Sequence, residues 1–336
     1  MVNRYSRACH SSTDFLQIPT RFFFAAGEII TKHRRKIVSL TSLVFVKQVP
    51  DTKNVTGDAM RPDGTVNRGA LAAIFNPEDL NALELALDLR ERYGGRVVVC
   101  TMGPPAAAAV LRHSLYMGAD EAILLTDRSF AGADTLATSY ALSCAARKLG
   151  DYDLVLCGRQ AIDGDTAQVG PQVAEKLEIP QVTYAEKVIE IKDGIATVRN
   201  LIDGGHEIVK TPLPALLTAV SSANEPRPAG ARRLMRYKKA MTRTELLAKH
   251  AGKTYEDSNE LAVEEEKLRE RGLWIHEWSA ADVGADPQRI GFAGSPTKVK
   301  KIENVVLAAG QFKDIPLTEE GIDALAKELI EDNVFV

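Results

Sequence analysis

Leu154-Val155-Leu156-Cys157-Gly158-Arg159-Gln160-Ala161-Ile162-Asp163-Gly164-Asp165-Thr166-Ala167-Gln168-Val169-Gly170-Pro171 joins an apolar run to a polar loop and then to a helix start. Leu154 to Gly158 has no polar alternation, the pattern of a strand covered on both faces of a parallel sheet. Pro171 suits the first turn of the helix, which must end before Pro180. A loop leaving the carboxyl end of a strand and entering a helix is where open α/β sheets bind ligands.

Upstream, Ile37 to Val46, Arg96 to Met102 and Ala122 to Thr126 repeat the strand pattern, separated by helical stretches. The first helix has Asn76 as cap, Pro77 at its first position, Glu78 and Asp79 at its positive end and Gly94-Gly95 as its stop. Its buried face is Leu80, Leu83 and Leu87. Two more helices are expected, over about Pro105 to Met117 and about Asp134 to Leu149, ended by Gly118 and Gly150. The alternation predicts an α/β fold with a doubly wound, mainly parallel sheet. Thr183 to Ile191, Ile195 to Ile202 and His206 to Thr211 are separated by short turns and read as an added antiparallel portion, followed by a buried strand over Pro214 to Val220.

The domain reading that follows is an extension over 1–35, a nucleotide-binding α/β domain over 36–220 and a C-terminal arm over 221–336. The arm begins proline-rich and basic, from Asn224-Glu225-Pro226-Arg227-Pro228 to Lys238-Lys239, and needs another surface to pack on. Tyr255 to Gly272 is a charged helical stretch in which Leu261, Val263 and Leu268 are too sparse for a broad buried face.

With 336 residues, 45% of them hydrophobic and 26% charged, the chain has globular composition. A net charge of −3 supplies no electrostatic footprint for nucleic acid. No apolar run reaches the roughly 20 residues of a membrane-spanning helix, so an integral membrane protein is not expected. Cys9, Cys100, Cys144 and Cys157 lack Cys-x-x-Cys spacing and sit in or beside apolar runs, as reduced cysteines of a cytoplasmic protein do. Residues 1–35 are Arg-rich and acid-poor. They are either a plain extension or a transit peptide, which would place the protein in the mitochondrial matrix.

Free amides near Ala167, Gln168 and Val169, with the Thr166 hydroxyl, suit a phosphate. Asp163 and Asp165 would repel it unless they cap amides or meet ribose hydroxyls. A second loop, Gly132 to Thr138, opens a helix with Asp134 and places Thr135 and Thr138 on one face. It holds either a second phosphate or an ordinary Asp cap. Met102-Gly103-Pro104 either admits a ring to the backbone or simply turns the chain. Gly-x-Gly-x-x-Gly after the first strand, a Walker loop, a Gly-x-Ser-x-Gly elbow and clustered metal ligands are all missing. No catalytic acid-base set is visible, so redox work would require a cofactor.

Val46-Lys47-Gln48-Val49-Pro50-Asp51-Thr52, Asn76-Pro77, Thr101-Met102-Gly103-Pro104, Gly118-Ala119-Asp120 and the loop from Gly158 to Pro171 resemble the beta subunits of electron-transferring flavoproteins, in order and interval. The likeness covers about Lys36 to Pro214, continues through Asn224 to Arg227 and Lys238-Lys239, and returns at Gly294 to Thr297. An apparent insertion lies at 241–274. The resemblance implies a Rossmann-like sheet of the adenine nucleotide alpha-hydrolase type and a heterodimer with an alpha subunit that holds one FAD. The beta subunit would bind AMP or, in electron-bifurcating members, a second FAD served by NADH. The motifs around Lys47, Asp134 and Asp163 look like the bifurcating version. The implied partners are a flavin-dependent dehydrogenase of the acyl-CoA class and a ferredoxin-like low-potential acceptor.

Carried over by position, Phe45 and Asn76 lie beside the adenosine, with Met102 and Gly103 near the adenine. Gly158 and Thr166, Ala167, Gln168 and Val169 hold its phosphate, and Thr135 and Thr138 serve the rest of the diphosphate. Lys47, Asp134, Gln160, Asp163 and Asp165 complete the cofactor-binding set. Arg227, Ala231, Leu234 and Lys238 form the docking segment, in which Ala231 stands where the family has Leu or Ile and Leu234 substitutes. Two rival readings are a non-redox nucleotide-binding sensor and a stand-alone enzyme acting on adenylated substrates.

Overall fold

A computed structural model describes residues 39–51, 71–251, 258–297 and 315–331. The expectations for residues 1–35 lie outside these. The strands, in chain order, are β1 (Leu40–Phe45), β2 (Gln48–Pro50), β3 (Ala73–Phe75), β4 (Gly95–Met102), β5 (Glu121–Leu125), β6 (Leu154–Gly158), β7 (Gln181–Lys192), β8 (Ile195–Ile202), β9 (Gly205–Pro212), β10 (Ala215–Ala219) and β11 (His276–Trp278). The helices are α1 (Pro77–Tyr93), α2 (Ala108–Met117), α3 (Thr135–Leu149), α4 (Val169–Leu177), α5 (Ala231–Tyr237), α6 (Arg243–Lys249), α7 (Ser258–Glu270) and α8 (Glu319–Glu331).

Among the described residues the main sheet has nine strands in the order β11-β5-β4-β1-β6-β10-β7-β8-β9, and every pairing from β11 to β7 is parallel. Within this sheet the β7-β8-β9 pairings are antiparallel, as the short turns required. Pleating sends alternate residues to opposite faces. Val44, Val97 and Val99 pack with Leu83, Leu87 and Leu111 of α1 and α2, whereas Leu43, Val98 and Cys100 pack with Tyr140, Ala141 and Val173 of α3 and α4. The chain is therefore doubly wound, as the apolar runs predicted.

From β1 the connections step outward through β4 to β5, then return across β1 to β6, pass on to β7, β8 and β9, and come back to place β10 between β6 and β7. The β1/β6 seam is thus the point where strand order reverses, and crevices open at such seams. Three strands were not foreseen, β2, β3 and the three-residue edge strand β11. β2 and β3 form a separate antiparallel pair, and each is only three residues long, too short for a periodic signal.

Asn76 does not cap α1 through its side chain. It is fully buried and bonds the loop after β6 instead, a contact that no local spacing encodes.

The segment from 221, expected as an extended arm, finds its packing surface on its own chain. Asn224 exchanges side-chain bonds with Asn81 of α1, its amide donating to the Asn81 carbonyl at 3.0 Å. Arg227 clamps Glu84 (2.9 Å) and reaches Glu91, both on α1. The segment then turns helical as α5, which starts where Gly230 N–H donates to the Tyr116 carbonyl of α2. Thr242 and Glu245 form a capping box at α6, and Glu245 also meets Arg112 of α2. Leu273 and Ile275 are buried and lead into β11, which extends the sheet beside β5. The charged stretch is helical from Ser258 to Glu270, with Leu268 buried and Val263 exposed.

α8 belongs to a second compact unit and carries Glu319 and Glu320 in its first turn, complementing the positive helix end. No described helix is long and apolar enough to cross a membrane.

Candidate functional site

The carboxyl ends of β1, β4, β5 and β6 open onto a cavity of about 710 Å³. That lies inside the roughly 300–1,000 Å³ typical of cofactor sites. Of the residues singled out from sequence, Phe45, Lys47, Met102, Gly103, Asp134, Thr135, Thr138, Gly158, Gln160, Asp165, Thr166, Ala167, Gln168 and Val169 line it, whereas Asn76 and Asp163 do not.

The cavity floor is bracketed by the start of α1. Asp79 accepts the Lys47 N–H at 2.8 Å and the Gly158 N–H at 2.9 Å, tying together the exits of β1 and β6. Glu78 accepts the Gln160 N–H at 3.0 Å and pairs with Arg159 at 3.1 Å. The buried Asn76 amide donates to the Gln160 carbonyl at 2.9 Å and accepts from Ile162 N–H at 3.1 Å. Asn76 therefore shapes the loop from behind instead of lining the space. Gly158 is required by closeness, since a Cβ there would stand 2.6 Å from Asp79 Oδ1 and 2.8 Å from the Asp79 nitrogen.

Asp163 and Asp165 were expected to cap amides or meet ribose. Asp163 instead forms an ion pair with Lys47 at 2.6 Å, and Asp165 accepts from the Gln160 side chain at 3.0 Å. The Asp163 partner comes from 116 residues away, which the loop sequence does not show, whereas the Asp165 partner lies five residues earlier in the same loop. Asp165 (φ 48) and Ala167 (φ 52) lie in the left-handed region. Ala167 is followed by Gln168 in the right-handed region and then by α4. Backbone amides in successive residues of opposite hand converge into an anion-binding concavity, and this one continues into the positive end of α4.

Across the cavity, Asp134 caps α3, accepting the Ala137 N–H at 3.0 Å and the Thr297 N–H at 3.0 Å. Desolvation opposes ionisation there, but the amides of Ala137, Thr297 and Leu136 outweigh it and hold the Asp134 carboxyl below its usual range. The cap reading of Asp134 thus holds while the residue also lines the cavity. Thr135 donates to the Gln168 side chain at 2.9 Å, linking the starts of α3 and α4.

Asp79 behaves oppositely. Burial, opposed by bonds from Gly158, Asn76 and Lys47, pushes its carboxyl up to about 7. Its place in the cavity was missed, because an acid in a helix first turn reads as a dipole partner. Arg128 and Arg159, also cavity-lining, were missed as well. Their signal was position, since each follows the carboxyl end of a strand of the parallel sheet.

The docking residues fall apart into two groups. Ala231, Leu234 and Lys238 are exposed on or just after α5, whereas Arg227 is engaged by α1.

Residues 63–245 match the model of the electron transfer flavoprotein domain. The electron transfer flavoprotein subunit beta of Clostridium acetobutylicum is 42% identical over 286 residues, covering 85% of this chain and 96% of that protein. The caffeyl-CoA reductase-Etf complex subunit CarD of Acetobacterium woodii is 43% identical over 258 residues, 76% of this chain and 85% of that one. Protein FixA of Sinorhizobium fredii is 38% identical over 295 residues, 86% and 91% respectively.

Proposed function

Because the chain belongs to the electron transfer flavoprotein family, as a beta subunit, we propose that its switch-point cavity binds FAD and that the subunit takes part in flavin-based electron bifurcation. The carrying observation is the cavity itself, set where strand order reverses and lined by two helix starts. The residues fit that group. The amides around Ala167 and Gln168 and the Thr166 hydroxyl hold one phosphate, and Thr135 and Thr138 at the start of α3 serve the second. Phe45, Met102 and Gly103 offer apolar and backbone surface for a ring.

When bound, FAD supplies the acceptance of two electrons as hydride and their release one at a time. The protein's own residues hold and orient it, and the buried strand ends beneath it exclude water. In this reading the subunit joins an alpha subunit carrying a second FAD, with NADH as donor. A ferredoxin-like protein and a dehydrogenase of the acyl-CoA class are the acceptors. The name of the caffeyl-CoA reductase-Etf complex supports the last of these. Leu234 and Lys238 on the exposed side of α5 form the docking contact. Buried free cysteines at 100, 144 and 157 accord with a cytoplasmic setting.

Co-purification with the alpha subunit, denaturation and flavin counting tests the reading. Two FAD per heterodimer is the expected result. One FAD and one AMP would overturn bifurcation in favour of a single-flavin carrier.

A further inference from the structure

Gly294-Ser295-Pro296-Thr297, where the family likeness returns, lines no part of the cavity. It packs behind the cavity wall at the start of α3 instead. Phe292 N–H donates to the Ala131 carbonyl at 3.0 Å, and a Cβ on Gly291, whose φ is 52, would run into the Ser129 carbonyl oxygen. Ser295 is 3% exposed, and its hydroxyl accepts the Asp134 N–H at 2.8 Å and donates to the Gly291 carbonyl at 2.7 Å. Two residues on, Thr297 N–H donates to Asp134 Oδ2 at 3.0 Å, while Ala137 N–H holds Asp134 Oδ1. Asp134 is thus held at two points, backbone and carboxylate, by residues 161 and 163 positions away. Pro296 stands between those two points. Its ring fixes its own φ and keeps Ser295 out of the helical region, so the hydroxyl and the amide keep their spacing.

This attachment decides where a negative charge points. Asp134 lines the cavity beside Thr135 and Thr138, at the helix start read above as serving the second phosphate. A carboxylate free to swing there would repel that phosphate. We propose that Ser295, together with the Thr297 amide, is a positioning residue that keeps the Asp134 carboxylate on the amides of Ala137 and Thr297 and away from a phosphate at the start of α3. The proposal rests on the nucleotide-binding reading above and adds a device, built from the distant Ser-Pro-Thr segment, that lets this wall accept a diphosphate. The carboxylate still caps α3, so the helix keeps its stabilising partner while the phosphate meets hydroxyls and amides.

The test uses the full chain assembled with its alpha subunit and stripped of nucleotide at the beta site. AMP and ADP serve as probes in equilibrium dialysis, since AMP needs only the subsite at Ala167 and Gln168 whereas ADP also reaches the start of α3. Ser295→Ala leaves the Asp134 N–H without its acceptor and frees the carboxylate, so ADP binding weakens about tenfold and AMP binding by under about twofold. Adding Asp134→Asn to Ser295→Ala keeps a capping side chain without the charge and recovers most of the ADP loss. Damage that is only structural would weaken both probes together and would not respond to the charge. Thr297→Pro removes the second attachment at an exposed position and gives the same split between probes, which keeps the test standing if Ser295→Ala assembles poorly. Equal losses for AMP and ADP, no loss, or a double variant as weak as Ser295→Ala overturns the role of Ser295 and leaves nucleotide binding intact. No binding of AMP, ADP or FAD at the wild-type beta site overturns both.

Discussion

Gly158→Ala probes the bracket beneath the cavity at its tightest point. The added Cβ would lie 2.6 Å from Asp79 Oδ1, 2.8 Å from Asp79 N and 2.8 Å from the Glu78 carbonyl carbon. Two of these atoms are backbone at the start of α1, so no side chain can swing clear. Overpacking of this kind costs about 1–3 kcal/mol. Relief requires α1 and β6 to part, lengthening the 2.9 Å bond from Gly158 N–H to the Asp79 carboxylate and adding about 1 kcal/mol or more. The expected loss is roughly 2–4 kcal/mol, which for a unit of this size lowers Tm by roughly 5–15 °C. Nucleotide retention falls with it, because Gln160 and its neighbours move. Gly164→Ala is the internal control, since a Cβ there meets nothing within 4 Å and the change should stay within about 0.5 kcal/mol. Thermal unfolding followed by circular dichroism compares the two variants. Equal Tm shifts, or an unchanged Gly158→Ala, would refute the close-approach argument.

Three other outcomes are expected. Folded Asp79 keeps its proton up to about pH 7 whereas an aspartate in the unfolded chain releases it near 3.8, so between these values the native state binds more protons and stability falls as pH rises. The full penalty, on the order of 4 kcal/mol, is present above about pH 7 and absent near pH 4. Urea denaturation from pH 5 to 7.5 should show this slope flattened in Asp79→Asn, and a slope unchanged by the substitution would exclude Asp79 as its source. Arg227→Ala strands Glu84, which is 9% exposed, and should cost about 1–3 kcal/mol in urea denaturation, partly recovered in the double variant with Glu84→Ala; a neutral Arg227→Ala would show the clamp to be dispensable. Lys47→Ala removes an ion pair whose members are 48% and 24% exposed, so stability should change by under about 1 kcal/mol while nucleotide affinity at low salt falls. Unchanged affinity would remove Lys47 from the site.

What could be read from sequence was what local periodicity and punctuation carry. Continuous apolar runs such as Leu154 to Gly158 require cover on both faces, and glycine and proline at helix ends set boundaries that tertiary contacts rarely move. The sheet class, the main helices and most cavity-lining positions follow from that, because ligand loops in this architecture must leave strand carboxyl ends. The ordered motifs added the family.

Tertiary structure decided the distant partners that Asn76, Asp79, Asp163 and Arg227 take. Asn76 lies 86 residues from Ile162, and Asp79 lies 79 from Gly158, yet these pairs form the cavity floor. Asp163 left the ligand for Lys47, and the basic arm found α1 through Arg227 and Glu84. A carboxylate's role depends on burial and on donors brought from distant strands, and neither quantity has a local sequence signature. The sequence alone therefore determined where a site must lie and which family it belongs to. Only the folded chain decided that Asp79 lines it and Asp163 does not.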